Sequence, residues 1–302
     1  MRERWRVWLW LMTATAGLAL APTARAAATA DVEPVQAELL ADASAVAAGQ
    51  PFKVGVLFHI APGWHIYWKY PGDAGLPTAV TFELPKGFAA GELQWPLPQS
   101  FTQPGDLAGY GYTGSVMLTA EVTSPKDLAA GTEFAIRAKV SWLGCRDVCR
   151  PGRAELNTKL AVAAERAPAN EALFREWAAR LPQTLKDLIA AGRLHAVAAT
   201  AETPPPGTVT KIAIAVTWET KPAKVEFFPA PTEAVLTDKP SVNTTEKRTE
   251  IAMTARRSSV GVADRLECLV VFTLPDGERD VFPVRLRMPV ANVAAPAEAR
   301  PK

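Results

Sequence analysis

Three cysteines stand in the 302-residue sequence, at positions 145, 149 and 268. A thiolate can attack a disulfide, close one, or ligate a soft metal ion, so spacing has to separate these chemistries. In Cys145-Arg-Asp-Val-Cys149 the two sulfurs are three residues apart. On an extended strand, Cα atoms four positions apart lie about 13 Å from one another, whereas a disulfide tolerates at most about 6.8 Å. The chain must therefore fold back at Arg146-Asp147-Val148 for the pair to close. Gly144 and Pro151-Gly152 flank such a turn. A bridge over so short a loop stabilises by only about 2 kcal/mol in the chain-entropy account, against about 5 for a hundred-residue loop, so a staple placed for stability would join distant strands. Short, exposed bridges are the labile ones. Arg146 and Arg150 favour a thiolate here and Asp147 opposes it. Redox exchange leads, with a structural disulfide and a thiolate metal site kept open. Cys268 lies in the apolar run Leu266–Leu274 and reads as a small buried hydrophobe.

Other chemistries find less support. There are three histidines. His59 alternates with an apolar strand face and belongs at the surface, while His195 follows Arg193-Leu194 near a helix end, where a cation suits the dipole. Only His65 can come near the cysteines, which is too few nitrogens for a tetrahedral zinc site. No Ser-His-Asp set, carboxylate pair or Gly-rich phosphate loop can be argued from spacing. No cofactor and no metal ligands are assigned.

The first residues read as an export signal. Arg2, Arg4 and Arg6 precede the apolar run Val7–Leu20, and Ala24-Arg25-Ala26 offers a cleavage site. That run of about 14 residues is short of the roughly 20 that span a bilayer, and no later segment approaches a span. Of the 33 basic and 31 acidic residues, residues 1–26 hold four arginines and one glutamate, leaving 29 and 30. Near-neutral, interspersed charge gives no footprint for a nucleic-acid partner. Export also places the cysteines where disulfides persist.

About 276 residues remain, more than one typical domain, and 26 prolines with 19 glycines punctuate short apolar runs. The alternation of Phe52, Val54, Val56 and Phe58 predicts a half-buried strand over Phe52–Ile60. Similar runs occupy Thr78–Leu84, Ser115–Val122, Glu133–Trp142 and Ala154–Val162, separated by turns such as Pro71–Gly75 and Gln103–Asp106. From Asn170, read as an N-cap, Leu173, Phe174, Trp177 and Leu181 recur at helical spacing, and Leu185, Leu188 and Ile189 continue beyond Pro182. Pro204-Pro205-Pro206-Gly207 reads as a linker. Further strands are expected at Thr208–Trp218, Lys224–Phe228, Glu250–Ala255, Leu266–Leu274 and Asp280–Met288. The organisation expected is all-β: two tandem sandwiches at 27–165 and 208–290, a helical connector and linker at 166–207, and a disordered tail at 291–302. Trp95, Trp142, Trp177 and Trp218 read as packing residues. Trp64 and Trp68 around His65, with Tyr110 and Tyr112 in a Gly-rich stretch, are candidates for a partner-docking surface.

Residues 35–165 resemble the N-terminal periplasmic domain of the DsbD and ScsB-type thiol:disulfide interchange family. The resemblance rests on Pro62-Gly63-Trp64-His65-Ile66-Tyr67-Trp68-Lys69, Pro71-Gly72-Asp73-Ala74-Gly75-Leu76-Pro77-Thr78, Leu84-Pro85-Lys86-Gly87, Gly111-Tyr112, and Gly144-Cys145-Arg-Asp-Val-Cys149-Arg-Pro151-Gly152. Residues 208–290 look like the second periplasmic domain of the ScsB-type branch. The resemblance implies an immunoglobulin-like sandwich in the periplasm with a redox-active Cys145/Cys149 pair. Its partners would be a DsbD-type membrane electron donor and periplasmic thioredoxin-like proteins, with Cys149 attacking and Cys145 resolving. Tyr67 keeps the family's aromatic strand beside the cysteines, and His65 departs from it, since tyrosine is typical there. The family's shielding cap loop should fall near Gln103–Tyr112, but its aromatic residue is not matched by position. The pair is also closer in sequence than in typical DsbD. The family's membrane electron channel and terminal thioredoxin-like domain have no counterpart in the sequence, so a complete relay is not expected within it. Two further readings stand beside this one. Copper handling by the same thiolates would use His65 as a possible third ligand, and a scaffold would carry the disulfide for structure only.

Overall fold

Alternating side chains build most of the strands. The computed structural model describes residues 33–202, 209–230, 235–257 and 265–288; the expected export signal, the Pro204–Gly207 linker and the tail lie outside them. The first twelve strands are β1 (Val35–Ala41), β2 (Ala43–Val46), β3 (Pro51–Ile60), β4 (His65–Gly72), β5 (Ala79–Glu83), β6 (Ala89–Ala90), β7 (Gln99–Gln103), β8 (Leu107–Tyr112), β9 (Ser115–Thr123), β10 (Glu133–Cys145), β11 (Cys149–Val162) and β12 (Ala167–Pro168). They form a sheet β1-β3-β9-β6 facing a second, β12-β2-β11-β10-β4-β8-β7, with β5 pairing along β10. Along β10 the residues Ile136, Ala138 and Val140 point into the core with Val54, Val56 and Phe58 of β3 and Leu118 and Val122 of β9. The intervening residues of β10 lie on the outer face, as a period of two requires.

Helices α1 (Glu171–Ala178) and α2 (Leu185–Ala190) connect the halves. Asn170 is not the side-chain cap that its residue type predicts. Its backbone is left-handed at φ 53° and its amide donates to the Ala41 carbonyl instead. Thr184 does cap α2, accepting from the Asp187 amide. The interruption near Pro182 leaves two short helices where one periodic run was expected. Phe174 and Trp177 bury against the first sandwich.

The remaining strands are β13 (Leu194–Ala201), β14 (Thr210–Trp218), β15 (Lys224–Ala230), β16 (Val235–Thr237), β17 (Ser241–Thr245), β18 (Arg248–Arg257), β19 (Arg265–Thr273) and β20 (Arg279–Arg287). They form sheets β13-β14-β18-β16, with β17 also on β18, and β15-β19-β20. His195 therefore sits in a strand, beside Glu219, rather than at a helix end. The near-continuous apolar run of β19 has a structural cause: both faces are covered. Cys268, Val270 and Phe272 enter the second core, while Leu269 and Val271 pack, with Phe228 and Val281, into the hydrophobic cluster of the first sandwich. The chain is thus all-β and immunoglobulin-like, with the helical connector between two sandwiches.

Candidate active site at the tip of the β10–β11 hairpin

Thirteen cross-strand pairs run along β10 and β11, and the last is Cys145 with Cys149. The ladder brings their Cα atoms to 4.1 Å and the sulfurs are bonded. Arg146-Asp147-Val148 make the fold-back, closed by the Arg146 amide donating to the Val148 carbonyl at 3.2 Å. The two cysteines differ in access: Cys145 is 3% exposed, whereas Cys149 lies exposed on the turn with Val148.

On its other edge, β10 pairs with β4, and Cys145 is the cross-strand partner of His65. Directly opposed residues share a face with Cβ atoms about 4.5–5.5 Å apart, so Cys149, Cys145 and His65 form one row across three strands. That face is the outer one, because Ile66 and Trp68 take the core side of β4. Tyr67, two residues along, shares the outer face yet is 1% exposed. It is covered from two sides. Gly75 lies so close that a Cβ there would stand 2.4 Å from the Tyr67 ring, and its φ of 111° favours glycine independently. The Tyr67 hydroxyl donates to Gln103 Oε1 at 2.9 Å, and Gln103 donates in turn to the Ala74 carbonyl.

The second cover is Phe101, which sequence reading missed. Its ring lies 4.3 Å from the His65 ring and 6.1 Å from that of Tyr67. It comes from β7, the edge strand of the β7–β8 hairpin, where the expected cap loop falls. The cross-strand partner of Phe101 is Gly109. A Cβ at Gly109 would sit 2.3 Å from Phe101 Cε2, so the missing side chain is what lets the ring lie down. The signal available in the sequence was the spacing Gly109-x-Gly111, two bare positions on one face.

Wrapped by these rings, His65 Nε2 is buried without a hydrogen-bond partner, and burial lowers the imidazole pKa. A neutral ring follows at neutral pH. Burial likewise raises the pKa of Tyr67. At the rim, the Trp64 ring lies under two cations, with the Arg146 and Arg150 guanidinium carbons 5.2 and 5.8 Å from its centroid. Arg146 also pairs with Asp147 at 2.9 Å.

The docking surface expected of four aromatics needs correction. Trp68 and Tyr112, 1% and 5% exposed, are core side chains, and the Tyr112 hydroxyl donates to the Pro96 carbonyl. Trp64 is buried beneath its arginines. Tyr110, half-buried, stacks 4.8 Å from Phe228 of the second sandwich. Large apolar side chains that do stand exposed nearby are Val148 on the turn and Leu76 beyond Gly75. Among the described residues, no three His, Cys, Asp or Glu side chains are grouped to hold a metal ion. The Cys268 thiol is buried and unpaired, and desolvation pushes its pKa up to about 12.

Residues 33–161 match the family described as thiol:disulfide interchange protein DsbD, N-terminal. This stretch, less than half of the chain, is similar to a DsbD N-terminal domain. Among solved structures, the N-terminal periplasmic domain of ScsB from Proteus mirabilis is 19% identical, covers 86% of this chain and 96% of its own, and superposes with a TM-score of 0.60. That share extends beyond residues 33–161 into the second sandwich, so the likeness in fold includes both. The major pilin subunit BcpA of Bacillus cereus gives 10% identity over 86% of this chain and 68% of its own, with a TM-score of 0.28. No curated protein matches the chain. The match to this family thus supports thiol–disulfide interchange as the chemistry of the bonded Cys145–Cys149 pair.

Proposed function

We propose that the protein carries reducing equivalents in the periplasm, taking them from a DsbD-type membrane donor and passing them to thioredoxin-like proteins through Cys145 and Cys149. The observation that carries this is the unequal access of the two cysteines in a stretch similar to a DsbD N-terminal domain. A donor thiolate attacks the Cys149 sulfur, the Cys145–Cys149 bond breaks, and its electron pair stays on Cys145 as a thiolate that takes a proton from solvent. The donor's second thiolate then attacks its own sulfur in the mixed disulfide. Cys149 leaves as a thiolate, and the protein holds the dithiol. In the forward transfer the Cys149 thiolate attacks a partner's disulfide, and Cys145 resolves the mixed species.

His65 and Tyr67 serve as support. Beside Cys145, a neutral imidazole with an unsatisfied Nε2 can exchange a hydrogen bond with the sulfur that reduction releases, and Tyr67 fixes the ring from behind. Arg146 and Arg150 keep positive charge beside the attacked sulfur, which favours thiolate.

Trapping tests the reading. With Cys145→Ser, a mixed disulfide between Cys149 and an envelope thioredoxin-like protein should accumulate; with Cys149→Ser it should be scarce. If neither variant yields a mixed disulfide in the periplasm, interchange is not what the pair does.

A further inference from the structure

The β7–β8 hairpin is a plate with two occupied faces. Phe101 and Gly109, a cross-strand pair, serve the face that covers His65. The neighbouring pair, Ser100 and Tyr110, necessarily points the other way. Both of its members meet β15 of the second sandwich. The Ser100 hydroxyl donates to Glu226 Oε1 at 2.9 Å, and the Tyr110 ring lies 4.8 Å from Phe228. Glu226 and Phe228 are themselves two apart on one strand, so one face of β15 meets one face of the hairpin. Glu226 is held in turn, with Lys224 and Arg279 each 3.1 Å from its carboxylate. Alongside the contact runs a cleft of about 480 Å³, lined by Phe101 and Asp73 on one side and Phe227 and Lys239 on the other. β8 is paired to β4, whereas β7 is the outer strand of that sheet and meets the second sandwich through Ser100.

We propose that the second sandwich is a brace for this hairpin. Through Glu226 and Phe228 it holds Ser100 and Tyr110, and so keeps Phe101 down on His65 and limits access to Cys145, the buried member of the pair. The proposal rests on the interchange reading above. Ser100, Tyr110, Glu226 and Phe228 are positioning residues, none of them in contact with the reacting sulfurs.

The test uses the whole chain with Ser100→Ala and, separately, Phe228→Leu. Three quantities are measured: the rate at which a maleimide alkylates Cys145 in a Cys149→Ser background, the equilibrium reduction potential of the intact pair, and the melting temperature. Ser100 is exposed, so its variant should fold and melt as wild type does. A brace that gates access should, when loosened, speed alkylation of Cys145 about two- to tenfold for a lost hydrogen bond. The potential should stay where it was. Rates equal to wild type in both variants, with Phe101→Ala faster, would overturn the brace and leave the cap standing. A potential that moves as far as the alkylation rate would overturn it too, because the second sandwich would then act on the stability of the bond. Failure of the interchange reading looks different: dithiothreitol still reduces the bond, but no thioredoxin-like protein exchanges with it.

Discussion

Gly109 is the position where the smallest change should open the site. An added Cβ would stand 2.3 Å from Phe101 Cε2 and 2.8 Å from Gln103 Nε2. Both are ends of side chains that can turn, and the backbone there is not left-handed. Gly109→Ala should therefore fold, with a loss of about 1 kcal/mol from crowding. What it cannot keep is the Phe101 ring on His65. An aromatic contact of this kind contributes about 0.5–1.5 kcal/mol, so conformers with the ring displaced gain about 2- to 13-fold. In a Cys149→Ser background, alkylation of the buried Cys145 by a maleimide should accelerate by that factor. Gly111→Ala is the control two residues away. Its Cβ would stand 2.0 Å from the Ile66 carbonyl oxygen, a backbone atom that the β4–β8 pairing holds in place. No rotamer relieves that overlap, and about 3 kcal/mol or more should be lost, read as a fall in melting temperature. The reasoning fails if Gly109→Ala changes the near-ultraviolet circular dichroism of the aromatic cluster yet leaves Cys145 alkylated at the wild-type rate.

Other expectations concern titration and packing. Because burial lowers the folded-state pKa of His65 below 6.5, the unfolded chain binds more protons there. Stability from this residue is complete above about pH 6.5 and lost as pH falls toward the folded value; His65→Tyr should flatten that slope in denaturant titrations. Cys268, with its pKa near 12, should resist iodoacetamide at pH 8 until the protein unfolds, while the reduced Cys149 reacts; equal rates in native protein would refute the burial argument. Trp64→Ala should cost about 3–5 kcal/mol and release both stacked arginines, visible as a lower midpoint in urea.

The strands with a clean period of two were legible before any coordinates. Phe52–Ile60 became β3 almost residue for residue, and the turn at Arg146–Val148 followed from the reach of a disulfide alone. The β7 and β8 strands were not legible, because Gln, Ser, Thr and Gly make up six of their eleven residues and their role is to present one ring rather than to fill a core. Aromatic identity also misled: Trp68 and Tyr112 look like docking residues in sequence, and only the pairing of β4 with β10 and β8 shows which side of the sheet each takes. Phe101 could not be singled out without knowing that Gly109 lies opposite it.

The register of the long hairpin has a consequence for how the pair operates. Cutting the bond at its tip releases only a three-residue turn, and twelve further cross-strand pairs still hold the ends together. The two thiols, once formed, remain neighbours with a high effective molarity for one another. Capture of a mixed disulfide by the second sulfur is then a local event that needs no diffusion and no refolding. The domain can shuttle between its oxidised and reduced forms as a nearly rigid body, so what distinguishes the two forms to a partner is the chemistry at one edge rather than a change of shape.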